Sequence, residues 1–338
     1  MSNIEEEPIL LINDKFELTK EGEDYIKNMS DKKISIISVI GPKSSGKSFL
    51  SNQLVGIFNN GFEIGSIQNA TDSCTKGLWT WGKPIINNDN NILILDCQGF
   101  QIETEEQINL SQKYFNLINL ISSNVIYNYK KDDESEDNGE IKEQVVKNSV
   151  DFFIKLTKNS LRCQMGAPSF MDFFIKLTKN LNEKNIPNFS WVYRDYNISQ
   201  TDKYKDMINS LAKDNENYNS KYKNKIKIYT LPSPMEENDM LINLYLDEEE
   251  DPFDEEYKKK ITEFKKIIFG ESNSNNLTGK ELLKLINNFN NPNSAKIEEE
   301  IISKEELDKI ENDIITELKN KLKEKNENIN NIIVKYAN

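Results

Sequence analysis

Two short stretches of the chain carry residue types whose spacing could do chemistry. In the first, Gly41-Pro42-Lys43-Ser44-Ser45-Gly46-Lys47-Ser48-Phe49, two glycines bracket four residues, and a lysine and a serine follow at once. This fits G-x-x-x-x-G-K-[ST], in which each fixed position has a physical job. The glycines let the chain curl until successive backbone N–H groups point at one phosphate. Lys47 then reaches the outer phosphates, and the Ser48 hydroxyl ligates Mg²⁺. A helix starting here adds the positive end of its dipole. A chance match is expected in roughly 1 of 100 chains this long. Chance does not also supply the β-branched run before the loop and the amphipathic segment after it. The stretch implies a bound nucleoside triphosphate.

The second stretch, Asp96-Cys97-Gln98-Gly99, follows the apolar run "NILIL". An aspartate at a strand end can hold magnesium through water, and a glycine beside it can offer its N–H to the γ-phosphate. Between the two lies "TDSCTKGLWTW", Thr71 to Trp81. A threonine hydroxyl in this interval completes a magnesium shell when a switch loop closes; Thr75 is the candidate and Thr71 its rival. Trp79 and Trp81 read as aromatics packing the strand that follows. After "FSWVY" comes Arg194-Asp195. An aspartate can accept both N–H groups of a guanine edge, an arrangement adenine cannot offer. As a bare dipeptide this pair is also what a surface ion pair looks like.

Composition narrows the chemistry. The 338 residues include no histidine, which removes Ser-His-Asp hydrolysis, Cys-His proteolysis and histidine-ligated zinc. Cys74, Cys97 and Cys163 are odd in number and lack metal-ligand spacing, the usage of a reducing compartment. With 43 Lys+Arg against 56 Asp+Glu, the net charge of −13 argues against general affinity for nucleic acid or anionic membranes. A local pocket of N–H groups can still take an anion. "MSNIEEEPILLIND" is no signal peptide, no apolar run approaches a membrane span, and "IIVKYAN" carries no prenylation cysteine. The expectation is a cytoplasmic protein with no nucleic-acid partner, no membrane span and no lipid anchor.

The elements that must position these residues are legible as apolar runs. Strands are expected at Ile34–Ile40, Ile92–Leu95, Asn124–Tyr127, Phe189–Tyr193 and Ile226–Tyr229, and helices at Phe49–Ile57 and Ile108–Ile118. Strands alternating with helices give an α/β domain with a mainly parallel central sheet. Ligands of such sheets sit at the carboxyl ends of the strands, so both stretches should open onto one crevice. The globular domain is expected over 1–290, with a mobile acidic loop at about 129–145 around "KKDDESEDNGE". "DFFIKLTKN" occurs at 151–159 and again at 172–180, a local duplication rather than a repeat array. Over 291–338 a helical tail is expected, because Leu307, Ile310, Ile314, Leu318 and Leu322 step by three or four. It would dock on the domain or serve association.

Taken in order, "GPKSSGKSFLSNQLVG", "GFEIGSIQNATDSCTKGLWTW", "NILILDCQGF", "LISSNVIYN" and "WVYRDY" resemble the guanylate-binding protein and atlastin family of dynamin-related large GTPases. "TKGLWTW" at that offset from a P-loop is the specific part. The resemblance runs from about Pro8 to Asn290 and implies a three-layer P-loop NTPase G domain. It implies GTP and Mg²⁺ held by Gly41 to Phe49, with Thr75 completing the magnesium shell and Ser73 helping to position the attacking water. Asp96 and Gly99 would be the switch II pair, and Arg194 with Asp195 would read guanine. Hydrolysis to GDP and phosphate, and a homodimer through GTP-loaded G domains, are further implications. Two departures bear on rate. Ser44 stands where the family carries an arginine finger, a role the neighbouring Lys43 fills only in part, and Gln98 stands for a family glutamate. They favour binding over fast turnover and leave a slow GTP-binding switch as the alternative. A P-loop ATPase or kinase of another class would leave "TKGLWTW" and "YRD" unexplained.

Overall fold

In β2 (Lys33–Ile40) every residue after the first is buried, as in a strand covered on both faces. β5 (Asn90–Cys97) pairs with it in parallel on one side and β6 (Asn124–Lys130) in parallel on the other. β7 (Asn188–Arg194) and β8 (Ile226–Leu231) extend the parallel set beyond β6. These are the five strands expected from the apolar runs. Four short antiparallel strands join them. β3 (Leu78–Trp81) and β4 (Ile85–Asn87) pair with β5, β1 (Pro8–Ile12) pairs with β3, and β9 (Leu277–Thr278) meets the start of β2. The order is β1-β3-β5-β2-β6-β7-β8. These coordinates are a computed structural model, and they describe residues 6–57, 61–64, 75–87, 89–101, 104–130, 186–194, 225–235, 253–271 and 276–290.

Alternation along the strands sorts side chains onto two faces. On one, Ile34, Ile36, Leu93, Leu95, Val125, Tyr127, Phe189 and Trp191 pack with α1 (Lys20–Lys27), α3 (Glu105–Ile121) and α5 (Gly279–Asn290) through Ile26, Tyr114, Phe115, Leu282 and Ile286. On the other, Ile37, Val39, Ile92, Ile94, Ile126 and Val192 pack with α2 (Lys47–Val55) and α4 (Glu255–Glu271) through Phe49, Leu50, Leu54, Tyr257, Ile261 and Phe264. Each such side chain, fully buried, is worth about 1.5–3 kcal/mol, so the two apolar clusters fix a three-layer α/β order. The same parity puts Asp96 of β5, Asn128 of β6 and Arg194 of β7 on the α2 face.

Helix starts differ in a way that matters for function. Thr19 caps α1, and Thr104 with Gln107 forms a capping box on α3. In α2 the cap position is Gly46, in the left-handed region, with no side-chain cap. Its first-turn N–H groups are left for another acceptor. β6 runs on to Lys130, two residues into the stretch read as an acidic loop. The rest of that loop, both DFFIKLTKN copies and the tail at 291–338 lie outside the described residues. Among the described residues no helix is long and apolar enough to cross a membrane.

Candidate functional site

β2 stops at Ile40 and α2 begins at Lys47, so residues 41–46 form the turn between them. The turn is tight enough to dictate residue type. Gly46 has φ 79°, and an added Cβ would come to 2.4 Å from Nη1 of Arg194. Ser44 holds φ 60° at the exposed tip. Lys47 is buried, and its Nζ donates to the Pro42 carbonyl at 2.8 Å, closing the loop around its own ammonium group. Burial pulls that lysine below its ordinary value, while the charge of Asp96 opposes the shift.

Two side chains from neighbouring strands hold the loop from beneath. Asn128 Nδ2 donates to the Ser45 carbonyl at 2.6 Å, and Arg194 Nη1 donates to the Gly46 carbonyl at 2.9 Å. The guanidinium also lies 4.8 Å over the Phe49 ring, a cation–π contact. From the β5 side, Phe100 N–H donates to Gly41 O at 3.1 Å, and Pro42 pairs with Phe100. Gly99 packs so closely on Lys43 that a Cβ there would lie 2.6 Å from the Lys43 Cα.

Beside Lys47 is a cluster of hard oxygen donors. Ser48 Oγ donates to Asp96 Oδ2 at 2.7 Å and lies 2.9 Å from Thr75 Oγ1. Thr75 Oγ1 is 3.4 Å from the same carboxylate oxygen, and Ser51 Oγ donates to Asp96 Oδ1 at 3.3 Å. Asp96 is wholly buried, and burial pushes its carboxyl up to about 6 against the pull of Ser48, Lys47, Ser51 and Thr75. Adjacent ligands of an octahedral Mg²⁺ at 2.0–2.1 Å lie about 3 Å apart. The Ser48–Thr75 separation of 2.9 Å fits such a pair, with the Asp96 carboxylate behind it. Among the described residues no three His, Cys, Asp or Glu side chains cluster to hold a metal. Gln98 ties the two stretches together, its Oε1 accepting from Gly77 N–H at 2.9 Å and its own N–H donating to Gly77 O at 2.8 Å.

Of the residues singled out in the sequence, those from Gly41 to Phe49 meet Thr75, Asp96, Gly99 and Arg194 at the carboxyl ends of β2, β5 and β7. Arg194 turns its guanidinium under the loop, onto Gly46 and Phe49. Thr71, Ser73 and Asp195 lie outside the described residues. Trp81 is buried edge-on to Phe62 at 6.2 Å, while Trp79 Nε1 donates to Lys76 O at 2.8 Å. Sequence reading missed Ser51 and Asn128. The expected strand stops at Tyr127, one residue short of Asn128, although β6 runs on to Lys130 and Tyr129 resumes the alternation.

Residues 13–277 match the family described as guanylate-binding protein, N-terminal domain. Among curated relatives, human guanylate-binding protein 4 is 33% identical over 96 residues, 28% of this chain and 14% of that protein. Human guanylate-binding protein 5 is 32% identical over 126 residues, 36% of this chain and 21% of that one. The chain thus matches only a minor part of the length of these relatives. Among solved structures, a GTP-binding protein from the archaeon Sulfolobus solfataricus in complex with GDP covers 72% of this chain and 56% of its own at 15% identity. Its TM-score of 0.32 is too low to support an assignment.

Proposed function

The chain belongs to the guanylate-binding protein family, and from that premise we propose that it binds GTP in the loop between β2 and α2 and hydrolyses it to GDP and phosphate. The observation that carries the proposal is the meeting of Lys47, Ser48, Thr75 and Asp96 at the uncapped start of α2. In this reading the N–H groups of residues 43–48 cradle the β- and γ-phosphates, and Lys47 swings from the Pro42 carbonyl to the phosphate oxygens. Ser48 and Thr75 would hold Mg²⁺, with Asp96 behind them through water. Bound there, Mg²⁺ would neutralise charge developing on the transferred phosphoryl group. Gly99 N–H is assigned to the γ-phosphate, and Ser73 to the attacking water. Phosphoryl transfer rests on positioning and electrostatics more than on a general base, so the lack of histidine is no obstacle.

For the base, the reading assigns guanine recognition to Asp195, the next residue in the sequence after Arg194, with which β7 ends at the same edge of the sheet as the loop. Arg194 contributes by bracing Gly46. GTP-loaded G domains are proposed to pair as a homodimer. The buried free thiol of Cys97 suits a reducing compartment, and the proposed location is the cytoplasm. A second reading, a slow switch that signals by shape, is favoured by one observation: the exposed loop tip offers the Ser44 hydroxyl and no guanidinium. One experiment separates the two. Purified chain with GTP and Mg²⁺ is expected to release phosphate, and Lys47→Ala to lower that release at least about a hundredfold. Equal, slow release from both proteins contradicts the enzyme reading and leaves the switch.

A further inference from the structure

Asn128 is completely buried on the face of β6 that carries Ile126, next to Val192 of β7 in register. An apolar side chain would suit that position better. The amide uses its nitrogen on the Ser45 carbonyl, yet among the described residues its Oδ1 has no hydrogen-bond partner. A buried acceptor left unpaired costs about 1–3 kcal/mol, so packing alone does not account for the residue. The 2.6 Å contact fixes the orientation of the amide, because turning it over would set two acceptors against each other.

What the donor holds is the orientation of a peptide plane. In a planar trans peptide the C=O of one residue and the N–H of the next point in opposite directions. With the Ser45 carbonyl tied down to Asn128, the Gly46 N–H is turned away from the sheet, toward the mouth of the loop. Arg194 does the same to the next plane, holding the Gly46 carbonyl and thereby aiming the Lys47 N–H. Two donors on adjacent strands therefore fix two consecutive amides. The backbone of Asn128 takes part too: its carbonyl lies where a Cβ on Gly41 would be, 2.3 Å away, so strand and loop are in contact at both ends of the turn.

Resting on the nucleotide-binding reading above, we infer that Asn128 is a positioning residue for the phosphate site: it holds the Ser45 carbonyl inward so that the Gly46 amide points at the β-phosphate. Asn128 touches no substrate itself. Its effect is exerted through the loop, and it falls on ligands that have a β-phosphate.

The test uses the full chain with Asn128→Leu, which keeps the number and branching of side-chain heavy atoms and removes the donor, and Asn128→Ala, which covers the case in which the bulkier leucine overpacks. Affinities for GDP and GMP are measured by competition against a fluorescent guanine nucleotide, beside thermal melts of the nucleotide-free proteins. Either folded variant is expected to bind GDP about tenfold more weakly while GMP affinity changes less than about twofold, since GMP lacks the phosphate that the loop grips. GDP binding unchanged from wild type, or GDP and GMP weakened equally, overturns the inference and leaves guanine-nucleotide binding intact. Wild-type protein that binds neither nucleotide overturns the parent reading as well.

Discussion

At the scale of single residues the site is set by contacts that allow little substitution. Gly46 combines φ 79° with the Arg194 guanidinium 2.4 Å from where a Cβ would be. Gly46→Ala must therefore strain the backbone and push Arg194 off the Phe49 ring. The expected loss is about 1–3 kcal/mol, read as a lower urea midpoint of the ligand-free protein. An unchanged midpoint would mean that Arg194 does not sit where the structure has it. The spacing of Gly41, Gly46, Lys47 and Ser48 was legible because the phosphate loop is a local backbone pattern. The targets of Arg194 and Asn128 were not, since both point at residues more than 80 positions away. A dipeptide such as Arg-Asp says nothing about where its side chains turn. What would have pointed to Asn128 is its place between Tyr127 and Tyr129, inside an alternation that continues past it.

At the scale of elements, five strands could be read because each carries a short apolar run, and in β2, β5, β6 and β7 that run is buried on both faces. The antiparallel strands were hidden for physical reasons. β9 has two residues, β4 exposes Ile86, and β3 mixes a buried Thr80 with tryptophans that also suit a loop. Helix starts carry their own test. Thr278 caps α5 in a reciprocal box: its Oγ1 accepts from Glu281 N–H at 3.3 Å, and the Glu281 carboxylate accepts from Thr278 N–H at 2.7 Å and Oγ1 at 2.8 Å. Thr278→Ala is expected to destabilise the protein by about 1 kcal/mol without altering nucleotide affinity, because β9 joins the opposite end of β2 from the loop. The Thr278 backbone N–H, with its hydroxyl, holds Glu281 below its ordinary 4.5. A depressed carboxylate stabilises the fold above its unfolded pKa and ceases to do so as pH falls through the folded value. The gap in melting temperature between wild type and Thr278→Ala should therefore be full above pH 4.5 and narrow below it. A gap that is constant with pH argues against the box.

At the scale of the whole molecule, function follows from strand parity and parallel order. Parallel strands deliver their carboxyl ends to one edge of the sheet, and alternation sets positions 96, 128 and 194 on the face of α2. An acidic chain of net charge −13 can hold a polyanion only where N–H groups and a buried lysine outweigh its average field, and the place proposed for this is the turn at 41–46 with the start of α2. The central claim is that this turn grips the phosphates of a guanine nucleotide. Its most direct test is a titration of the full chain with a fluorescent GTP analogue and Mg²⁺, competed separately with GTP and ATP and repeated on Lys47→Ala. GTP should displace the probe at a concentration at least about a hundredfold below that of ATP, and Lys47→Ala should bind the probe at least about tenfold more weakly. Equal competition by ATP, or equal binding by the lysine variant, would contradict the claim.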